Sequence, residues 1–204
     1  MNTCPRRGRR PDPSKRAAIV DAAGRLFCAH GYGVTMEAIA AEAGVSKQTI
    51  YNLFSTKEQL FGAVVATRSQ VIVTAIPAPA ETLPTPEGLL RIAREFVWFM
   101  TGGQVSQVYR LMLQASPDAA LTQAFYDNGP KRALAQLAAW FRARDAAGDL
   151  RIDDARLAAE SFFGLLNGQI LIRNMLGLQT HWSDAELEAK ARYGVEMFLA
   201  RHAR

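Results

Sequence analysis

Gln48 and Asn52 stand four positions apart in the stretch GVSKQTIYNLFSTKE, each bearing an amide that donates and accepts. Such an amide bonds bidentately to the exposed edge of adenine, while Lys47 suits guanine and Thr49 offers a hydroxyl and a methyl. Tyr51 and Lys57 are better matched to phosphate oxygens, contacts that fix register without reading sequence. The competing reading is a plain solvated face. None of these residues is spaced like a catalytic group or a metal ligand.

A reading face needs a backing. On a helical wheel Ile50, Leu53 and Phe54 cluster opposite Gln48 and Asn52, so the stretch predicts a short helix that packs on one side and displays the other. Ser46 is placed to cap it. Thr35 is placed to cap a preceding helix carrying Met36, Ile39, Ala40 and Ala43, which Gly44 ends. Two helices joined by so short a turn form the helix-turn-helix pattern. The free N–H groups near Thr35 and Ser46 would add partial positive charge where phosphates pass. An earlier helix, Ser14 to His30, presents Ile19, Ala22, Ala23, Leu26 and Phe27, and Gly31 stops it. Ser55-Thr56-Lys57-Glu58 matches a capping box that opens a longer helix towards Thr74.

IPAPAETLPTP, residues 76–86, holds four prolines and marks a boundary. Thr85-Pro86-Glu87 then reads as cap, first-turn proline and early carboxylate. The following helix to Met100 is apolar almost all round and should be central. Further helices are expected at 104–115, 118–127, 131–147, from Asp154 to Leu176, and from Ser183, whose Glu186 completes a second capping box. The chain is predicted to be all-α: an N-terminal three-helix helix-turn-helix domain and a larger C-terminal helical bundle, with about nine or ten helices in all. The expected divisions are a basic flexible arm at 1–16, a helix-turn-helix domain with its connecting helix at 17–76, and a ligand-binding and dimerisation domain at 77–204.

Charge adds to this. The formal net charge is +5, and Arg6, Arg7, Arg9, Arg10, Lys15 and Arg16 against Asp12 supply all of it, leaving the remainder neutral. Such an arm reads as a nucleic-acid contact or as a solubility tail. The two cysteines, Cys4 and Cys28, build no disulfide framework. No apolar signal segment opens the sequence, and the most apolar stretch, FFGLLNGQILIRNMLGL, is too polar for a membrane span. A cytoplasmic protein is expected. G-x-S-x-G, H-E-x-x-H and the P-loop are missing, and His30, His181 and His202 are scattered, so neither an enzyme nor a cofactor or metal is expected.

Residues 16–61, RAAIVDAAGRLFCAHGYGVTMEAIAAEAGVSKQTIYNLFSTKEQLF, strongly resemble the N-terminal domain of TetR-family transcriptional regulators. The likeness rests on Leu26-Phe27, Gly31-Tyr32, Thr35, Ile39-Ala40, the Ala43-to-Ser46 turn, Tyr51, Phe54 and Lys57-Glu58. At position 48 Gln stands where the family often has a small residue. The second half, with YRLMLQASPDAALTQAFYDNGP and GDLRIDDARLAAESFFGLLNGQI, resembles the C-terminal domain of AefR-type members. The resemblance implies a homodimeric DNA-binding regulator whose C-terminal helices take a small effector that relieves repression. Two-fold symmetry would make the double-stranded operator a near-palindrome. An activator and a non-specific architectural DNA binder are the alternatives.

For the effector, Trp98, Tyr109, Met112, Phe125, Trp140 and Phe162 are candidate lining for an apolar pocket, with Asn167 and Arg173 as polar fixtures. A small hydrophobic compound is the expected ligand. Any one of the aromatics also reads as ordinary core. Arg173 equally suits an acid across a dimer, or the surface. Gly164 and Gly168, one turn apart, allow close helix approach. The two C-terminal helices are the expected dimer interface.

Overall fold

The computed structural model describes residues 13–78, 81–114, 119–178 and 181–204. The arm residues Arg6, Arg7, Arg9 and Arg10, and the expected helix ends at 115 and 118, lie outside the described residues. Eleven helices and no strand are found among the described residues: α1 (Pro13–His30), α2 (Met36–Glu42), α3 (Lys47–Leu53), α4 (Lys57–Ala75), α5 (Thr85–Thr101), α6 (Gly103–Gln114), α7 (Ala119–Asn128), α8 (Pro130–Ala146), α9 (Ala155–Asn167), α10 (Ile170–Leu176) and α11 (Asp184–His202). One isolated bridge joins Leu150 to Ala203.

The contacts divide the chain into two compact units at Val64/Val65, inside α4. The proline-rich stretch after residue 76 is where the sequence suggests a break. The contacts divide earlier because Ile72 and Ile76 are buried in the core of the second unit.

In the first unit the buried residues are Ile19, Ala22, Ala23 and Phe27 of α1, Ile39 and Ala40 of α2, Ile50 of α3, and Leu60 and Phe61 of α4, with α2 packed on α1 and α3. Phe27, Tyr32 and Phe61 form a ring cluster with centroids 5.6–5.8 Å apart. Gly44 makes the turn between α2 and α3 with φ 65°, left-handed backbone that disfavours a side chain. The cap of α4 differs by one residue from the expected box. Thr56 Oγ1 accepts from Gln59 N at 3.2 Å and Gln59 Oε1 accepts from Ser55 N at 3.1 Å. Glu58 is thereby left to accept from Tyr32 Oη at 2.6 Å.

In the second unit α5 is central, packing on α6, α9, α10 and α11, while α8 packs on α7 and α9. It is less apolar all round than expected. Leu89, Ile92, Ala93 and Val97 are fully buried, but Trp98 is 50% exposed. Thr85 does not cap it; Pro84 is the cap residue, and the buried Thr85 hydroxyl donates to Asp149 Oδ2 at 2.8 Å. Arg94 grips Glu188 of α11 through two hydrogen bonds of 2.6 and 2.7 Å. The helix expected from Asp154 to Leu176 is broken into α9 and α10 at Gly168, whose φ of 46° and ψ of −113° no helix continues. The second capping box forms as expected, Ser183 with Glu186.

Candidate nucleic-acid interface and effector region

The N-terminal caps set the angle of the reading surface. Thr35 Oγ1 accepts from Ala38 N at 3.2 Å and Ser46 Oγ from Thr49 N at 3.2 Å, each satisfying a first-turn amide. Ser46 and Thr49 hydroxyls also bond each other at 2.8 Å. From that start α3 turns Ile50 fully into the core, and Phe54 follows it in as the C-cap. Leu53 is half-buried. The opposite face displays Lys47, Gln48, Tyr51 and Asn52 to solvent, with Thr49 half-buried at its margin.

The displayed side chains are partnered with one another. Gln48 Nε2 donates to Asn52 Oδ1 at 2.9 Å, which orients both amides along one edge of α3. Lys47 Nζ lies 2.5 Å from Glu37 Oε1 on α2, and Tyr51 Oη donates to the same oxygen at 3.4 Å. Lys57, half-buried, sits 4.2 Å above the Tyr32 ring, a cation–π contact that fixes its direction.

The charges follow from these contacts. The hydrogen bond from Lys47, with its positive charge, holds the Glu37 carboxyl below its usual range, and the same bond raises Lys47. The Tyr32 hydrogen bond lowers Glu58. Burial lowers Lys57. Glu37 is the participant that sequence reading does not supply. A carboxylate in the first turn of α2 already has a reason to be there, the positive end of the helix dipole. Its contact with α3 is tertiary. Such a face displays amide donors and acceptors of the kind that bond base edges, and two cations, Lys47 and Lys57, whose directions are set by neighbouring groups. Among the described residues no group of three His, Cys, Asp or Glu side chains is placed to hold a metal ion.

The residues proposed for an effector are brought together only in part. Tyr109 and Phe125 meet edge to face at 5.3 Å, and burial raises the Tyr109 phenol. Met112 is half-buried on the same helix as Tyr109. Trp140 and Phe162 lie instead in the aromatic core around Phe141, at 5.7 and 6.1 Å from its ring. Trp98 and Arg173 are exposed, and Asn167 Oδ1 is a buried oxygen with no hydrogen-bond partner among the described residues. An open crevice of about 520 Å³ lies elsewhere, lined by Thr82, Pro86, Arg144, Asp149 and Arg204 among others, with none of the eight candidates.

Of the two glycines expected to allow close approach, Gly168 does so, since a Cβ there would lie 3.0 Å from Lys190 Nζ of α11, but Gly164 does not, and a tighter approach falls at Gly194. A Cβ on Gly164 would meet nothing within 4 Å, whereas one on Gly194 of α11 would lie 2.6 Å from Leu166 Cδ2. Among the described residues no helix is long and apolar enough to cross a membrane.

Comparison with known proteins agrees with this architecture. Residues 19–64 match the family of bacterial regulatory proteins called the tetR family, and residues 87–204 match the AefR-like transcriptional repressor C-terminal domain. The HTH-type transcriptional activator FasR of Mycolicibacterium smegmatis is 34% identical over 111 residues, 53% of this chain; the match spans half the length of that relative. A crystal structure described as a TetR-family transcriptional regulator, from Mesorhizobium loti, superposes with a TM-score of 0.81 at 34% identity, covering 97% of this chain and 100% of that one. The flavonoid-responsive regulator FrrA superposes with a TM-score of 0.75 at 28% identity, covering 94% and 98%.

Proposed function

The chain belongs to the TetR family of bacterial DNA-binding transcriptional regulators, and from that premise we propose that it is a homodimeric repressor released by a small aromatic compound. The observation that carries the DNA-reading part is α3: Ile50 is buried while Gln48 and Asn52 stand exposed and mutually oriented. In this reading Gln48, Asn52, Lys47 and Thr49 address base edges, Tyr51 and Lys57 hold phosphates, and the arm arginines add electrostatic attraction. Thr35 and Ser46 set the helices that present them.

The dimer is assigned to α9 and α11. These helices pack on each other and leave Leu165, Tyr193 and Met197 41%, 61% and 46% exposed, a large apolar cost for a lone chain. A two-fold dimer would set its α3 helices about 34–36 Å apart or a multiple, which fits a near-palindromic operator. The effector is assigned to the α5–α8 region, where Tyr109 and Phe125 meet. That FrrA is flavonoid-responsive supports an aromatic ligand with polar groups.

One experiment tests dimer and operator together. Mobility shift with genomic fragments should give discrete high-affinity sites, and sedimentation should give a dimer at micromolar concentration. Leu165→Glu with Met197→Glu should yield monomers with sharply reduced operator affinity. Gly168→Leu is unsuitable as a dimer test, because a side chain at φ 46° is strained whatever its neighbours. Uniform coating of all fragments would instead indicate an architectural DNA binder, and a wild-type monomer would remove the dimer. The activator reading is favoured by the FasR relative alone. Run-off transcription from the bound promoter decides it: repression lowers the transcript when protein is added, activation raises it.

A further inference from the structure

Lys47 and Tyr51, two residues assigned to DNA, converge in the free head on one carboxylate oxygen, Glu37 Oε1, at 2.5 and 3.4 Å. The three groups are exposed, on α2 and α3, on the side of the head that carries Gln48 and Asn52. A phosphate oxygen seeks the same ammonium and the same hydroxyl. It must either displace the carboxylate or share the ammonium with a second anion at close range, and like charges so placed repel.

We propose that Glu37 is a built-in competitor for the DNA backbone, holding Lys47 and Tyr51 so that a phosphate must displace it before they engage. The proposal rests on the DNA-binding reading given above and keeps Tyr51 on a phosphate. It moves Lys47 from a base edge to that same phosphate, because its ammonium meets the very Glu37 oxygen that the Tyr51 hydroxyl meets. Its consequence is a head with lower affinity for DNA of every sequence than its cations would give. Lys47 enters the complex already neutralised, so its contact with a phosphate adds little net counterion release. A regulator that must leave bulk DNA to find few sites gains from such damping, because non-specific binding is almost entirely electrostatic.

Glu37→Gln tests this, since the amide keeps the side-chain shape and removes the charge. Full-length wild type and variant are titrated, by fluorescence anisotropy across a salt series, against a mixed-sequence duplex and a duplex selected by the wild type from a random library. The variant should bind both duplexes several-fold more tightly. Its log–log salt slope should steepen by about 0.9, the increment for one added phosphate contact. In a Lys47→Met, Tyr51→Phe background the same change should give no more than the small gain of a general charge change. Asp21→Asn, at an exposed acid on α1, controls for the overall charge change and should give a much smaller gain.

Three results would overturn the proposal. The first is a gain no larger than that of Asp21→Asn. The second is a gain that stays above that level without Lys47 and Tyr51. The third is weaker binding to the selected duplex with altered base preference, which would make Glu37 a reader that accepts from cytosine. A wild type that binds neither duplex at low salt would defeat the DNA-binding reading itself and this inference with it.

Discussion

Gln48 and Lys57 lie on the same small surface and are held in different ways, and the difference predicts different mutant behaviour. Gln48 is exposed and bonded to Asn52, so in the proposed complex it would exchange that bond for a base edge while both partners remain accessible to water. Gln48→Ala should relax preference at one base position and weaken the preferred site by about 1–3 kcal/mol. Lys57 is half-buried over Tyr32, which pre-directs its ammonium. Lys57→Ala should weaken every sequence about equally and lower the salt slope by about 0.9. Random-site selection with both variants checks this, and identical changes in the selected sequences would collapse the distinction. Most of this face was legible in the sequence, because an apolar stripe on so short a helix leaves its opposite side only one direction. Glu37 was not legible, since its meeting with Lys47 depends on how α2 and α3 cross. Nor was the cap of α4. Ser55 with Glu58 and Thr56 with Gln59 satisfy the same spacing rule, and only the position of Tyr32 shows why Glu58 is occupied elsewhere.

Among the elements, the glycines show where pattern reading stops. Gly164, Gly168 and Gly194 are alike in sequence and do three different things: one is exposed with open space at its Cβ, one breaks a helix with positive φ, and one admits Leu166 against α11. Helical periodicity carries through Gly168 unbroken, so it predicts one helix where there are two. Caps and proline starts located most other elements within a residue or two, because they are local hydrogen-bond rules. The close packing at Gly194 leads to a stability prediction. Gly194→Ala places a methyl 2.6 Å from Leu166 Cδ2, and should destabilise by about 1–3 kcal/mol as Leu166 is pushed from its rotamer. Gly164→Ala adds a methyl that meets nothing in its own chain, and should leave stability unchanged or raise it by up to about 1 kcal/mol. Thermal and urea denaturation of the two variants beside wild type measure this. Equal destabilisation would mean that α9 and α11 are not in the close contact described.

At the scale of the whole molecule, α4 is the element both units share: Lys57 to Val64 lies in the first and Val65 to Ala75 in the second. An effector bound in the second unit alters DNA affinity only by binding two conformations unequally, and α4 is the covalent route by which that difference can travel. Its second half is held at identifiable points. Ser69 Oγ, which donates to Val65 O of its own helix at 2.9 Å, also lies 3.3 Å from Asn128 O, and Arg68 Nη1 donates to Gln104 Oε1. Arg91 Nε donates to Ala75 O, the final residue of α4, at 2.8 Å, while its Nη1 bonds Glu81 at 2.8 Å. Arg91 thus ties the end of α4 to α5, the central helix of the bundle. An aromatic effector that relieves repression should weaken operator binding by about 1–3 kcal/mol, and the operator should weaken effector binding by the same amount. Arg91→Met removes the tie and leaves the reading surface untouched. The variant should retain operator affinity in the absence of effector and bind the compound, yet show a smaller mutual effect. Calorimetry of the compound with and without operator, on wild type and Arg91→Met, measures the coupling directly. A full-sized coupling in the variant would show that α4 is not controlled from its C-terminal end, and would move the search to Ser69 and Arg68.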